Sequence, residues 1–181
     1  MEIPHGKSVS LVWKIFVTTV LLAGVLGGRV PTAQGDTMDT FILTVDVESD
    51  SLINSGCTDG RDDDDCSLRG AIQLANADTT NTYIINIPDG TYLLGGAAGE
   101  NSNATGDLDI NHPNLTLQGT SRKFTILDGG GTDSSPTDRV IDLFGSGYSL
   151  TINDLTIRNG SLSSGGGGGI QVGGGNTLTL N

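Results

Sequence analysis

Along most of the chain, aliphatic and polar residues alternate in short bursts, the period of a β-strand. Three bursts run into an Asx-Gly pair: Ile85-Asn86-Ile87-Pro88-Asp89-Gly90, Phe124-Thr125-Ile126-Leu127-Asp128-Gly129 and Leu155-Thr156-Ile157-Arg158-Asn159-Gly160. Such a pair supplies the positive φ of a tight turn. One strand type recurring every ~30–40 residues predicts coils that stack on one another. Two more series repeat an aliphatic-polar-aliphatic triplet. Leu108-Asp109-Ile110, Ile141-Asp142-Leu143 and Ile170-Gln171-Val172 form one; Leu115-Thr116-Leu117, Leu150-Thr151-Ile152 and Leu178-Thr179-Leu180 form the other. The pleat sends the aliphatics inward and the middle residue outward. The expected exterior ladders are Thr116, Thr151, Thr179 and Asp109, Asp142, Gln171. Leu68, Ile72 and Leu155 are expected inside. The fold class is all-β, a right-handed parallel β-helix (a solenoid), its hand taken from the crossover rule.

Upstream the period changes. Phe41 to Val47 reads as a strand and 48–65 as a polar loop ending in Asp62-Asp63-Asp64-Asp65. Leu68, Ala71, Ile72 and Ala75 then recur at helical spacing. Asp64 or Asp65 is the expected N-cap, and Gly70 weakens the helix by ~1 kcal/mol relative to Ala. A short helix here covers the open end of the first coil. The chain therefore divides into 1–35, a signal peptide; 36–79, the strand, acidic loop and capping helix; and 80–181, the coils.

Composition narrows the picture. With only 4% aromatics, the core must be built from Val, Ile and Leu. A net charge of −12 excludes nucleic acid and anionic lipid as partners. Lys7 and Lys14 precede the uncharged stretch Ile15–Leu26, and Ala33-Gln34-Gly35 places small residues before a cut at Asp36, as in a secretory signal. An uncleaved N-terminal anchor is the alternative. No other segment has the length to span a membrane, so none is expected after signal cleavage. Export makes a Cys57–Cys66 disulfide the default over two free thiols. Gly165–Gly169 lacks the following Lys-Ser/Thr of a phosphate loop.

The sharpest chemistry lies in Asp107, Asp109 and Asp142. The first two sit ~6.6 Å apart along a strand, and Asp142 stacks ~4.8 Å from Asp109. Such carboxylates act as acid and base on glycosidic bonds or coordinate Ca²⁺. They also form a solvated face when Arg139 neutralises one of them. Within the acidic run, Asp62 and Asp64 are further candidates for Ca²⁺, although the spacing is not that of an EF-hand; a solvated loop is the alternative. His112 has no Ser or Cys nearby to activate. Arg122, Lys123, Arg139 and Arg158 are available as lyase bases, with no pattern choosing among them. Asn103, Asn114 and Asn159 open glycosylation sequons.

These residues resemble the exported bacterial proteins that carry a CSLREA-type N-terminal domain joined to parallel β-helix repeats. The likeness rests on Cys66-Ser67-Leu68-Arg69 with Ala71-Ile72 and Ala75-Asn76, Gly106-Asp107-Leu108-Asp109-Ile110, Thr125-Ile126-Leu127-Asp128-Gly129-Gly130, Asp138-Arg139-Val140 and Leu155-Thr156-Ile157-Arg158-Asn159-Gly160. Gly70 departs from the Glu usual in that family. The resemblance implies a secreted or cell-surface β-helix, related in architecture to polysaccharide lyases, pectinesterases and autotransported adhesins. It also implies further coils, so the chain reads as a fragment, or as one whose open C-terminal coil self-associates. The expected function is a non-enzymatic scaffold that is adhesive or contacts polysaccharide or cell-surface glycan. The alternative is the N-terminal part of a polysaccharide lyase or glycoside hydrolase. No cofactor is expected unless Ca²⁺ binds.

Overall fold

The computed structural model describes residues 38–132, 137–162 and 167–181. The expected signal peptide and Gly165–Gly166 of the glycine run lie outside them. In chain order the elements are β1 (Thr40–Thr44), α1 (Leu68–Ala77), β2 (Thr82–Ile87), β3 (Gly90–Leu93), β4 (Leu108–Ile110) and β5 (Leu115–Gly119). They continue with β6 (Thr125–Asp128), β7 (Ile141–Leu143), β8 (Ser149–Asn153), β9 (Thr156–Arg158), β10 (Ile170–Val172) and β11 (Thr177–Leu180).

The described residues are mostly β with one helix. All strand pairing is parallel, in sheets of order β1-β2-β5-β8-β11, β3-β6-β9 and β4-β7-β10. From β2 onward, successive strands visit the three sheets in fixed rotation. The sheets are hydrogen-bonded within themselves and do not merge into one closed solenoid.

Two of the predicted series hold residue for residue. Leu115, Thr116 and Leu117 pair with Leu150, Thr151 and Ile152, and these with Leu178, Thr179 and Leu180. Leu108, Asp109 and Ile110 pair with Ile141, Asp142 and Leu143, and these with Ile170, Gln171 and Val172. The inward aliphatic members of β2, β4, β5, β7 and β8 build one continuous core that includes Ile85, Leu117, Ile152, Ile110 and Leu143. Thr116 and Thr151 are half-buried and Thr179 is exposed. Leu68 and Ile72 are buried as expected, whereas Leu155 is only half-buried, just before the end strand β9.

The Asx-Gly series does not hold. Gly90–Leu93, not Ile85–Ile87, pairs with Thr125–Asp128, while Ile85 lies in β2 beside Leu117. Next in the stack, Leu127 pairs with Ile157 and Asp128 with Arg158, which shifts the second copy by one residue against the third. The left-handed residues are therefore Gly130 and Asn159, not an equivalent pair in each copy. A one-residue shift exchanges the two faces of a strand. In β6 it places Thr125 and Leu127 inside and leaves Phe124 52% exposed. Inward Thr125 is satisfied at the corner: its hydroxyl donates to the Pro88 carbonyl and accepts from the Thr120 amide, both at 3.2 Å.

The helix begins later than the acidic run suggests. Cys66 and Ser67 are extended and bridge to Asn54 and Val47. The N-cap is consequently Ser67, not Asp64 or Asp65; its hydroxyl accepts the Gly70 amide at 3.1 Å. Gly70 has a packing reason. A Cβ there would lie 2.0 Å from the Ile53 carbonyl oxygen, so its helical cost is tied to the close approach of that loop.

On its buried side α1 packs against β2 and β4. The free edge of β4 is satisfied by helix side chains. Asn76 donates to the Asp109 carbonyl at 2.8 Å and accepts the Asn111 amide at 3.1 Å. Arg69 donates to the Gly106 and Asp107 carbonyls, each at 2.7 Å. Its other face forms a two-pronged ion pair with Asp50. The helix thus covers an edge that would otherwise present unpaired groups.

Cys57 and Cys66 are disulfide-bonded, with Cα atoms 4.8 Å apart. Their backbone groups also tie the loop to the segment after β1: Thr44 donates to the Cys57 carbonyl, and Asp46 and Val47 to that of Cys66. The bridge spans 9 residues, for which loop-closure entropy gives about 2–3 kcal/mol. Reduction is expected to lower the unfolding free energy, read from urea denaturation, by that amount. Alkylation of two thiols in unreduced protein, seen by intact mass, would show the bond does not form.

Candidate functional site

The pairing of β4 with β7 sets Asp109 beside Asp142, and Asp107 precedes Asp109 by one turn of the pleat. The sequence suggests an exterior acidic ladder. The structure corrects this: Asp107, Asp109 and Asp142 are 1%, 2% and 3% exposed. The cover is the loop between β3 and β4. Its turn is built on Glu100, whose carboxylate accepts the amides of Ser102, Ala104 and Thr105. Burial opposes its ionisation, but the Ser102 hydroxyl together with these amides holds Glu100 down at about 2. The turn presses Asn103 inward. Asn103 is buried, with a left-handed backbone (φ 56°), and its amide donates to Asp109 Oδ2 at 2.9 Å. Its side chain donates to the Arg69 carbonyl at 2.9 Å. The Asn103 sequon is therefore enclosed.

Arg139 closes the other side. Its Nη1 lies 3.5 Å from Asp107 Oδ2 and 3.3 Å from Asp142 Oδ2, and its Nη2 donates to Gln171 Oε1 at 2.7 Å. Asp138, also buried, accepts the Gly99 amide at 3.1 Å. One guanidinium thus faces several buried carboxylates. Burial, followed by repulsion from Asp109 and Asp138, pushes Asp107 up to about 7 against the pull of Arg139. Burial also raises Asp109 to about 6, opposed by the Asn103 amide and assisted by Glu100. Asp142 is raised by burial, with Arg139 opposing. One oxygen from each of the three lies within 4.8 Å of the others. Each carboxylate also has an oxygen, Oδ1, that is buried without a hydrogen-bond partner. A cluster of this kind can hold a cation or retain protons.

A second group forms in the acidic loop, though from different residues than Asp62 and Asp64. Asp46, Asp63 and Asp65 converge there, while Asp62 and Asp64 are exposed and stand outside the group. Asp46 accepts the amides of Cys66, Asp63 and Asp65 at 2.7, 3.2 and 3.4 Å. Burial opposes its ionisation, but these donors lower it overall. Asp65 is raised by burial and by neighbouring Asp63 and Asp59.

His112 is buried and structural. One ring nitrogen, Nε2, is 2.8 Å from the Asp78 carbonyl, and Nδ1 accepts the Asn114 amide at 3.1 Å. Nε2 is therefore the protonated nitrogen, and burial lowers its pKa. Among the basic candidates, Arg158 pairs with Asp128 at 2.8 Å and exposed Arg122 with Asp154 at 3.5 Å. Lys123 lies 4.9 Å over the Phe124 ring. That ring, Asp89, Thr91 and Ile126 line an open depression of about 420 Å³ on the β3–β6 face.

Alternation made Asp109 and Asp142 legible. Nothing marked Glu100, and Asn103 and Asp138 stood out only as a sequon and within a family-like stretch, because their part in the site is played across loops. No protein-family model, curated protein or solved structure matches this chain.

Proposed function

We propose that the chain is an exported right-handed parallel β-helix of the CSLREA type that acts as a non-enzymatic, carbohydrate-contacting scaffold at the cell surface or in the medium. The fixed rotation of strands through three parallel sheets supports the coil architecture. The disulfide supports an oxidising compartment. No helix among the described residues is long and apolar enough to cross a membrane.

One observation carries the functional reading. The carboxylates best placed for acid–base chemistry are enclosed, so a polymer has no route to them, while the partly open surface carries the Thr116–Thr151–Thr179 ladder and the Phe124 depression. An exposed aromatic ring beside Asp89, Thr91 and Lys123 suits a sugar, which offers an apolar face and a hydroxyl edge. The alternative, the N-terminal part of a polysaccharide lyase or glycoside hydrolase, needs those acids to reach substrate.

Affinity electrophoresis and end-group assays on pectin and alginate separate the two. Retardation without new reducing or unsaturated ends, reduced at least fivefold by Phe124→Ala, is expected. Release of such ends, abolished by Asp109→Asn, would establish the enzyme instead.

A further inference from the structure

We infer that Asp107, Asp109 and Asp142 form a Ca²⁺ site that fastens β4 and its covering loop to β7. The acidic cluster alone would not justify this. The second observation is the state of its oxygens. In all three carboxylates one oxygen is engaged: Asp107 Oδ2 and Asp142 Oδ2 by Arg139, Asp109 Oδ2 by the Asn103 amide. The other oxygen, Oδ1, has no partner in any of them, although each residue is at least 97% buried. Native interiors rarely leave buried acceptors unpaired, and an ionised carboxylate is the costliest to leave so.

Charge gives the same answer. Asp138 adds a fourth buried carboxylate, and Arg139 is the guanidinium that touches Asp107 and Asp142. Arg69, behind the loop, is committed to Asp50. A divalent cation supplies the missing positive charge and gives the orphan oxygens a partner. The donors are carboxylates alone, which selects a hard cation. One oxygen of each carboxylate lies within 4.8 Å of the others, close enough for a single ion to reach all three; in so enclosed a site Ca²⁺, which accepts a cage of protein oxygens, is favoured over Mg²⁺, which usually keeps several waters. The ligands come from two strands and the entry to one of them, so the ion cross-links two layers of the stack. It does not touch the Phe124 face, and the inference stands independently of carbohydrate binding.

Titration calorimetry and thermal melts on the whole folded chain, stripped with EGTA and refilled with CaCl2 or MgCl2, test it. One Ca²⁺ per chain is expected, with a melting temperature higher by several degrees. Asp109→Asn and Asp142→Asn should each weaken Ca²⁺ binding at least tenfold yet stay folded in EGTA, because each removes a buried like charge. Asp62→Asn should leave binding unchanged. Absence of heat and of any melting shift at about 10 mM Ca²⁺, above the weak extracellular range, would overturn the site. Binding that survives Asp109→Asn but is lost in Asp46→Asn would overturn it in favour of the acidic loop. Equal shifts with Mg²⁺ would overturn the assignment to Ca²⁺.

Discussion

Replacing Arg69 with Met is expected to destabilise the protein by about 3–5 kcal/mol, the range for removing one partner of a buried ion pair. The side chain is buried and serves two surfaces at once. It neutralises Asp50, and it fills the carbonyl acceptors of Gly106 and Asp107 at the free edge of the β4 sheet. Methionine has similar length, so little volume is lost; the cost is the unpaired carboxylate and the two orphaned carbonyls. Arg69→Lys keeps the charge but cannot make the planar fork, and should fall between wild type and Met. Asp50→Asn on the Met background should recover part of the loss, because it removes the stranded charge. Urea midpoints at constant slope measure all four proteins. A loss below about 1 kcal/mol for Arg69→Met would mean the edge does not depend on this residue.

The second large effect separates the two faces of one strand pair. Leu117 is fully buried between Ile85 and Ile152 in neighbouring strands. Leu117→Ala is expected to cost about 2–5 kcal/mol, and Leu117→Asp to abolish folding, since it buries a charge with no partner. Thr151 lies one residue out of phase, half-buried between Thr116 and Thr179. Its side chain points to the other face, so Thr151→Asp should shift stability by about 1 kcal/mol or less. Circular dichroism melts of the pair are sufficient. Equal losses would mean that the register of the five-stranded sheet is wrong.

What local periodicity can encode was legible along the chain. Strict alternation in Leu115–Leu117 and Leu150–Ile152 fixed strand type, inward face and register together, because a slip would expose every leucine. The same rule aligned Asp109 with Asp142, and helical spacing marked Leu68, Ala71, Ile72 and Ala75 as a buried face. Proximity and the expected compartment marked Cys57 and Cys66, which are bonded.

Tertiary structure decided the rest. The Asx-Gly motif looked like a register mark, but Leu127 and Ile157 stack on the core and the glycines follow one residue out of step. Core packing outranks turn chemistry, because many buried contacts compete with a single favourable dihedral. Alternation also says which side chains leave the core, but not what lies beyond them. Asp107, Asp109 and Asp142 do point away from the aliphatic interior, yet the Glu100 turn, Asn103 and Arg139 enclose them. Ser67 displaced the aspartates as N-cap because Ser67 and the preceding Cys66 are held extended by bridges to Val47 and Asn54. Each of these outcomes rests on contacts between distant segments, whose energies no short window of sequence contains.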